Sequence, residues 1–431
     1  MVFTEISTEE MDQFSRSQKN SSFLQSEAMA GVHGRQGRKI LCYGVRDSDQ
    51  LIAAAMINLR SVFFNYSIAH CNQGPMLDYN NHELVKFFVS NLKKELKRHH
   101  VIQLIITPNF EVVSRDVNGI IVDEFDHTDW IHNLENAGLK HQGFDNSLIN
   151  GVGRWFFVKD FQQIKDDKSL LSSMLQSART RISRIRRSAI RIEELQQDLS
   201  PFISVMDHTS DRRDFTNRTL DFYTSFLDFF GEDVKVFVAR MNFTQQLETL
   251  QKELAQFHTE IAQLEEILAE NPEKKKAVGR KKNLMIQTQS LEKRIVELQN
   301  IVELQNYEMT DQVLAAAMFI YHAGEVTYLY SGAYDQYFTF EAPYALQYAA
   351  FHWAIEKGAS RYNFYGTPGK YSGQTDDGIY QFKRGFGGRV IEQPGNFILP
   401  VLPIWHNLYA FYRKMRDYML HCRVYIDPIN N

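Results

Sequence analysis

The chain has few cysteines, few glycines and prolines, and no long apolar run. Its three cysteines, Cys42, Cys71 and Cys422, are odd in number, far apart and without C-x-x-C spacing. That excludes a disulfide scaffold and argues against a cysteine zinc site. Twenty-three glycines and ten prolines in 431 residues are too few for a collagen-like or globally disordered chain. No stretch approaches the roughly 18 apolar residues of a membrane span; Phe397 to Trp405 is cut by Pro400 and Pro403. Met1 to Phe14 is acidic and lacks the apolar core of a signal peptide. None of the 14 histidines lies in a GxSxG or HExxH context, and the only adjacent pair is His99-His100. Neither a nucleophile triad nor a metal site is expected. Forty-eight basic against 52 acidic residues leave a net charge of −4, which excludes a uniformly basic nucleic-acid coat but permits local basic patches.

What remains is ample core material: 44% apolar and 13% aromatic residues. At about 150 residues per domain, the length fits two to three units. In a first zone, about 1–155, Ile40–Val45 and Leu51–Leu59 read as strands joined by the turn Arg46-Asp47-Ser48-Asp49. His82–His99 reads as a helix and Val101–Ile106 as a strand that stops at Thr107-Pro108. The last zone, about 309–431, repeats the order. Val313–Tyr321 and Glu325–Ser331 read as a strand pair, Pro343–Lys357 as a helix ending at Gly358, and Arg361–Tyr365 as a strand that stops at Gly366-Thr367-Pro368. We read two copies of one α/β unit.

Between the copies, 244–308 is of another kind. Leu247, Leu250, Leu254, Phe257, Ile261, Leu264 and Leu268 follow 3,4 spacing, an a/d seam over three heptads. After Asn271-Pro272 and the basic tract Lys274 to Lys282, a second seam runs through Leu284, Thr288, Leu291, Ile295, Leu298 and Val302. The two predict an antiparallel coiled-coil hairpin with arms of about 22 residues, or roughly 33 Å. The hexapeptide Ile295–Asn300 is duplicated as Ile301–Asn306, and six residues disturb a seven-residue phase. Such an arm serves packing or dimerisation, or it reaches a large polyanion with the lysines at its tip.

Leu175–Ile192 carries Arg179, Arg181, Arg184, Arg186, Arg187 and Arg191 with apolar residues at helical spacing. The pattern predicts one helix whose Arg184, Arg187 and Arg191 share a stripe. It is either a solvated surface or a phosphate-binding face, for which the arginine fork is suited. Thr209-Ser210-Asp211-Arg212-Arg213-Asp214-Phe215, with Arg218 and Phe222-Tyr223 after it, reads as a polar cleft or as interlocked surface ion pairs. In Gly378–Gly388, Lys383 and Arg384 follow aromatics and precede a glycine-rich turn. A lysine there can supply a cation where charge develops in acyl transfer. Arg384-Gly-Phe-Gly387-Gly388 is only superficially like an acetyl-coenzyme A loop and fails at Arg389.

In their order along the chain, these features resemble the Fem family of peptidoglycan interpeptide-bridge aminoacyltransferases. The resemblance rests on Phe23-Leu24-Gln25-Ser26, Gln73-Gly74-Pro75, the T-S-D-R-R-D-F block, the heptad hairpin, and the terminal N-F-Y-G…Y-Q-F-K-R-G-F segment. The hairpin is similar to the FemA/FemB and MurM/MurN types, and Met29 to Gly37 with the T-S-D-R-R-D-F block looks closest to a MurN-like branch. The resemblance implies an α/β fold of two acetyltransferase-like (GNAT) domains with the coiled-coil arm inserted in the second. These would be 1–155 for the first and 156–243 with 309–431 for the second, whose C-terminal end could pack back on the first. It implies transfer of an amino acid from aminoacyl-tRNA, with no cofactor, to an amine of lipid II or another lipid-linked murein precursor. The enzyme would be cytoplasmic and act at the inner face of the membrane, which it would touch only transiently, and it could partner relatives of its own family.

Carried over by motif, Lys383 and Phe382 are the expected catalytic pair. Arg218 corresponds to an arginine on the precursor's diphosphate, with Tyr223 beside Phe222 and with Tyr330 or Tyr328 on the following strand. His33 stands where a diphosphate-binding lysine is usual, Met29 where tryptophan is, Gln73 where arginine is, and Thr107 where an acceptor-side aspartate is. Arg35, Arg38 or Asp211, with Arg212, could complete that site. Arg179, Arg184, Arg187, Arg191, Arg384, Lys275 and Lys281 are the expected tRNA contacts. A coenzyme A-dependent N-acyltransferase and a non-catalytic coiled-coil scaffold are the rivals.

Overall fold

The computed structural model describes residues 1–144, 153–304, 311–367 and 378–426. Its strands, in chain order, are β1 (Val2–Glu5), β2 (Lys39–Asp47), β3 (Gln50–Phe63), β4 (Tyr66–Asn72), β5 (Val101–Thr107), β6 (Val113–Arg115), β7 (Ile121–Glu124) and β8 (Lys140–His141). They continue with β9 (Trp155–Asp160), β10 (Ile190–Glu194), β11 (Val234–Asn242), β12 (Asp311–His322), β13 (Glu325–Ala333), β14 (Arg361–Gly366), β15 (Arg389–Glu392) and β16 (Phe397–Pro400). Two sheets result, ordered β1-β2-β3-β4-β5-β16-β8 and β10-β11-β12-β13-β14-β9-β15-β6-β7. Within each, one pair is parallel, β4–β5 and β13–β14. A helix joins each parallel pair, as a parallel crossover requires: His82–Arg98 in the first and Ala342–Glu356 in the second.

The chain is therefore built from two similar halves, but the copies align one strand later than the sequence suggests. The counterpart of β12–β13 is β3–β4, and that of β2 is β11. Strand β4, Tyr-Ser-Ile-Ala-His-Cys-Asn, carries polar residues that hide it from a hydropathy reading, yet His70 and Asn72 are buried. The halves also exchange strands across the expected boundary at residue 155. Strand β16, from the C-terminal zone, pairs with β5 of the first sheet. Strands β6 and β7, from the first zone, add to the second sheet through β15. A shared apolar core, with Met11, Phe23, Met29 and Met56 from one half and Phe202, Tyr223, Phe226 and Met318 from the other, lies between them.

The arm is two helices, Phe243–Glu270 and Lys275–Leu304, about 42 and 45 Å long at 1.5 Å per residue. Each expected seam position from Leu247 to Leu268 is buried or half-buried, and Leu284, Thr288, Leu291, Ile295 and Leu298 are buried. The side chain of Val302 and the end of the duplicated hexapeptide, Gln305 and Asn306, lie outside the described residues.

One expected helix is two elements. Leu175–Ile192 is a helix only over Gln176–Ile185. Ile190 and Ile192 alternate with the charged Arg191 at strand period, and the three pair antiparallel with Ala239–Met241 within β10. Arg191 is thus a strand residue, and no common stripe joins it to Arg184 and Arg187.

Candidate active site

Ser26 caps the helix Glu27–Arg35 by accepting from the Met29 amide at 3.1 Å. The neighbouring Gln25 is fully buried and bonds the Met56 amide and the Met56 and Asn72 carbonyls, which fixes the helix to β3 and β4. The Phe-Leu-Gln-Ser element is a positioning device. His33 rides on the last turn of that helix, and Gly37, at φ 72°, turns the chain into β2 at Arg38.

From the other half comes the helix Leu220–Phe230, capped by Thr219 and preceded by Arg218, whose guanidinium lies 5.5 Å from the Phe222 ring centre. The two helices cross closely. Gly31 leaves room for the Phe229 ring, which a Cβ there would overlap, and Arg35 Nη1 meets Asp228 Oδ2 at 2.5 Å.

This crossing gathers cations. Arg38 donates to Asn58 Oδ1 at 3.0 Å, and Asn58 donates to the His70 carbonyl. Burial, then Arg218, then Arg60 push the Arg38 guanidinium below its ordinary range. Burial, Arg38 and His70 hold His33 down at about 3. Burial, Arg60 and Arg38 hold His70 at about 4. At neutral pH the group is three guanidiniums drawn from both halves, with two neutral imidazoles among them. Arg38 is half-buried, whereas Arg60 and Arg218 are exposed, so the cluster opens to solvent with a local excess of positive charge. Arg60, Asn58 and His70 escaped the sequence reading. The signal was polar residues at strand spacing, Asn58 and Arg60, in the otherwise apolar β3.

Tyrosines line one side. Tyr223 donates to Asn217 Oδ1 at 2.8 Å and packs edge-on to Tyr330, 5.4 Å between centres. Burial raises both phenols, Tyr330 to about 12. A bulge between Met318 and Phe319 shifts the β12–β13 register. Tyr328 consequently stacks on Phe319 in the core of the second half, and Tyr330 faces the shared core. Tyr330 acts in turn on the titration of Tyr365, at the end of β14.

Lys383 lies next along this line. It sits on the helix Gly378–Gly385, is 5% exposed, and donates from Nζ to the Gly366 carbonyl at 2.5 Å. Phe382 packs between Tyr344 and Phe386. The glycine-rich turn after them is closed. A Cβ on Gly387 or Gly388 would overlap the Ser173 or Val158 carbonyl, and both glycines have positive φ. Buried Lys159 donates to the carbonyls of Ser173 and Phe386 beside it. The turn's amides are packed on the protein itself, not shaped as a phosphate cradle.

Against known proteins, the FemAB family model matches residues 6–414. The chain belongs to the FemAB family. It is 29% identical over 421 residues to Aminoacyltransferase FemA of Staphylococcus epidermidis strain ATCC 35984, covering 96% of this chain and all of that one. Aminoacyltransferase FemA of Staphylococcus aureus strain MRSA252 is 27% identical, over 97% of this chain and 99% of its own. The crystal structure of FemX superposes with a TM-score of 0.71 at 22% identity, covering 95% of this chain and 99% of FemX, and shows the same fold.

In this FemAB chain the other expected site residues scatter. Arg212 lies 5.2 Å from the Phe338 ring centre and near Asp335. Exposed Asp211 is on the same helix, Ser200–Arg213. Neither is among the groups that act on Arg38, His33 or His70. Arg384 is tied to the β6–β7 turn by bonds to the Val117 carbonyl and Asn118 Oδ1. The arginines of 179–191 are largely engaged: Arg181 and Arg184 with Glu341, Arg186 with Asp167, Arg187 with Glu253 of the arm, and Arg191 with Asp311. They anchor the arm and neighbouring elements, because acidic partners come from segments far away in sequence. Arg179 keeps a buried Nε with no hydrogen-bond partner. At the arm tip Lys281 pairs with Glu265 and Arg280 with Glu260, whereas Lys274, Lys275, Lys276 and Lys282 are exposed. Thr107 is buried and accepts from the Gln73 amide. Gln73 bonds Gln393, which also bonds Asn109. This polar cluster borders a cavity of only about 10 Å³ between the halves.

Proposed function

We propose that this FemAB protein transfers an amino acid of the Ala, Ser or Gly class from aminoacyl-tRNA to an amine of lipid II, building or extending the interpeptide bridge. One observation carries the reading. A cationic cluster fit for a diphosphate, Arg38, Arg60 and Arg218, lies beside the packed Tyr223–Tyr330 pair, and Tyr330 acts electrostatically on Tyr365, whose neighbour Gly366 accepts from Lys383. A precursor held by its diphosphate at one end would lay its stem peptide toward the lysine at the other.

The acceptor amine nitrogen attacks the ester carbonyl carbon, a C–N bond forms, and the C–O bond to the tRNA ribose breaks. The amine's proton leaves to the departing ribose oxygen or to solvent. The ester is already activated, so the protein's task is to position two partners and to stabilise the oxyanion. Lys383 Nζ, now on the Gly366 carbonyl, is placed to shift its hydrogen bond to the developing negative charge. The closed glycine turn speaks against a coenzyme A thioester as donor. Among the described residues no helix is long and apolar enough to cross a membrane; in this reading the lipid-borne acceptor is met at the inner membrane face.

The test is incubation with charged tRNA pools and lipid II, reading product mass. An increment of one residue from one pool is expected and identifies the amino acid. No increment from any pool overturns the reading.

A further inference from the structure

The C-terminal helix, Pro403–Ile426, packs on the first sheet at its start. Trp405 stacks on Tyr66 at 4.4 Å, and buried Tyr409 packs with Ile68, Ile102 and Ile105. From Phe411 to Arg416 every residue is exposed. Ile404, Leu408, Phe411, Tyr412 and Met415 recur at i, i+4, i+7, i+8 and i+11, which places them on one face, and they are 76%, 53%, 63%, 56% and 47% exposed. Phe64, at the tip of the β3–β4 hairpin, is 95% exposed. It adjoins Phe63, whose ring lies 5.9 Å from Trp405. An aromatic held at φ 48° with almost no cover is an unusual thing to present to water.

We propose that Phe64 and this helix face form a membrane-docking surface for anionic lipid. Charge selects that occupant. Exposed Lys414 and Arg416 lie on either side of the apolar face, and Arg60 lies on β3 four residues before Phe64, about 13 Å along the strand at 3.3 Å per residue. A second copy of the chain, meeting through the same patch by a two-fold axis, would set these cations against themselves; anionic headgroups complement them. An interfacial helix sinks its apolar face about 5–10 Å past the headgroups. With Phe64 at that depth, the Arg38–Arg60–Arg218 cluster stands level with the phosphates, where a lipid-linked diphosphate lies. This orientation rests on the lipid-linked acceptor proposed above; the docking surface itself does not.

The experiment is co-sedimentation of the full chain with vesicles of phosphatidylglycerol and phosphatidylcholine that contain no murein precursor. Wild type should bind the anionic vesicles. The triple variant Phe64→Ser, Leu408→Ser, Phe411→Ser should bind them about tenfold or more weakly, with an unchanged melting temperature and unchanged transfer to a water-soluble acceptor. Equal binding by the variant, or no binding by wild type, overturns the proposal. So does a concentration-dependent dimer that the same substitutions dissolve, which would make the patch a self-interface. Because the vesicles hold no substrate, an inactive but vesicle-binding protein would sink the enzymatic reading and leave the docking surface standing.

Discussion

The ring of Phe229 occupies the space that a side chain on Gly31 would need. That contact sets the distance between the helix that bears His33 and the helix that follows Arg218, and so the spacing of the cation cluster. Gly31→Leu should push the helices apart, with overpacking costing about 1–3 kcal/mol. The expected kinetic signature is a raised KM for the lipid-linked acceptor with little change in KM for the tRNA donor. Steady-state assays that vary one substrate at a time check it. Equal effects on both KM values would place the cluster elsewhere in the reaction.

Lys383→Met should lower turnover by about 10²–10³, the scale of losing one oxyanion donor. Affinity for both substrates should survive. Single-turnover kinetics with preformed complexes separate the two, and near-wild-type turnover would end the assignment. Circular dichroism melting should show the fold intact.

Stability should fall in mild acid. His33, His70 and His322 are buried and held neutral, at about 3, 4 and 4, against about 6.5 in the unfolded chain. Each depressed imidazole contributes stability that is fully present above pH 6.5 and is lost as the pH falls toward 4, because the unfolded state takes up the proton first. Three such groups approach a slope of about 4 kcal/mol per pH unit near pH 5. The melting temperature should therefore drop steeply between pH 6.5 and 4.5. His322→Asn, which keeps a polar partner for Ser21, should shallow that slope by about one third.

Lys274, Lys275, Lys276 and Lys282 are exposed at the tip of the arm. Replacing exposed Lys274, Lys275, Lys276 and Lys282 with alanine should weaken tRNA binding and reduce the slope of log affinity against log salt by up to about 3. Filter binding across a salt series measures both. The same change at Arg187 should instead loosen the arm's base, because that group holds Glu253 of the arm.

Periodicity was legible wherever one physical force acted alone. The heptads predicted the arm seam residue by residue, from Leu247 to Leu298, because each helix buries one narrow stripe, against its partner along the arm and against the second half's core at the base. The strand-helix-strand repeat was legible in outline. Its register was not, because the buried polar residues His70 and Asn72 break the apolar pattern of β4. The site divides the same way. His33, Arg38, Arg218, Tyr223 and Tyr330 were nominated by motif and do meet. Arg60 and His70 were missed, since strand pairing alone brings them there. The ion pairs of Arg184, Arg187 and Arg191 were not legible, because Glu341, Glu253 and Asp311 are 60 or more residues away in sequence.

The exchange of strands between the sheets has a bearing on synthesis. Once Thr107 has left the ribosome, β5 has β4 on one side and an open edge on the other, and its partner Phe397–Pro400 is still roughly 290 residues from being made. At about 5–20 residues per second, that edge stays unpaired for roughly 15–60 seconds. It is a long, apolar edge of the kind that invites intermolecular pairing. The nascent first half is thus an incomplete sheet for about two thirds of the whole chain's translation. It depends on shielding until the last tenth of the chain arrives to close it.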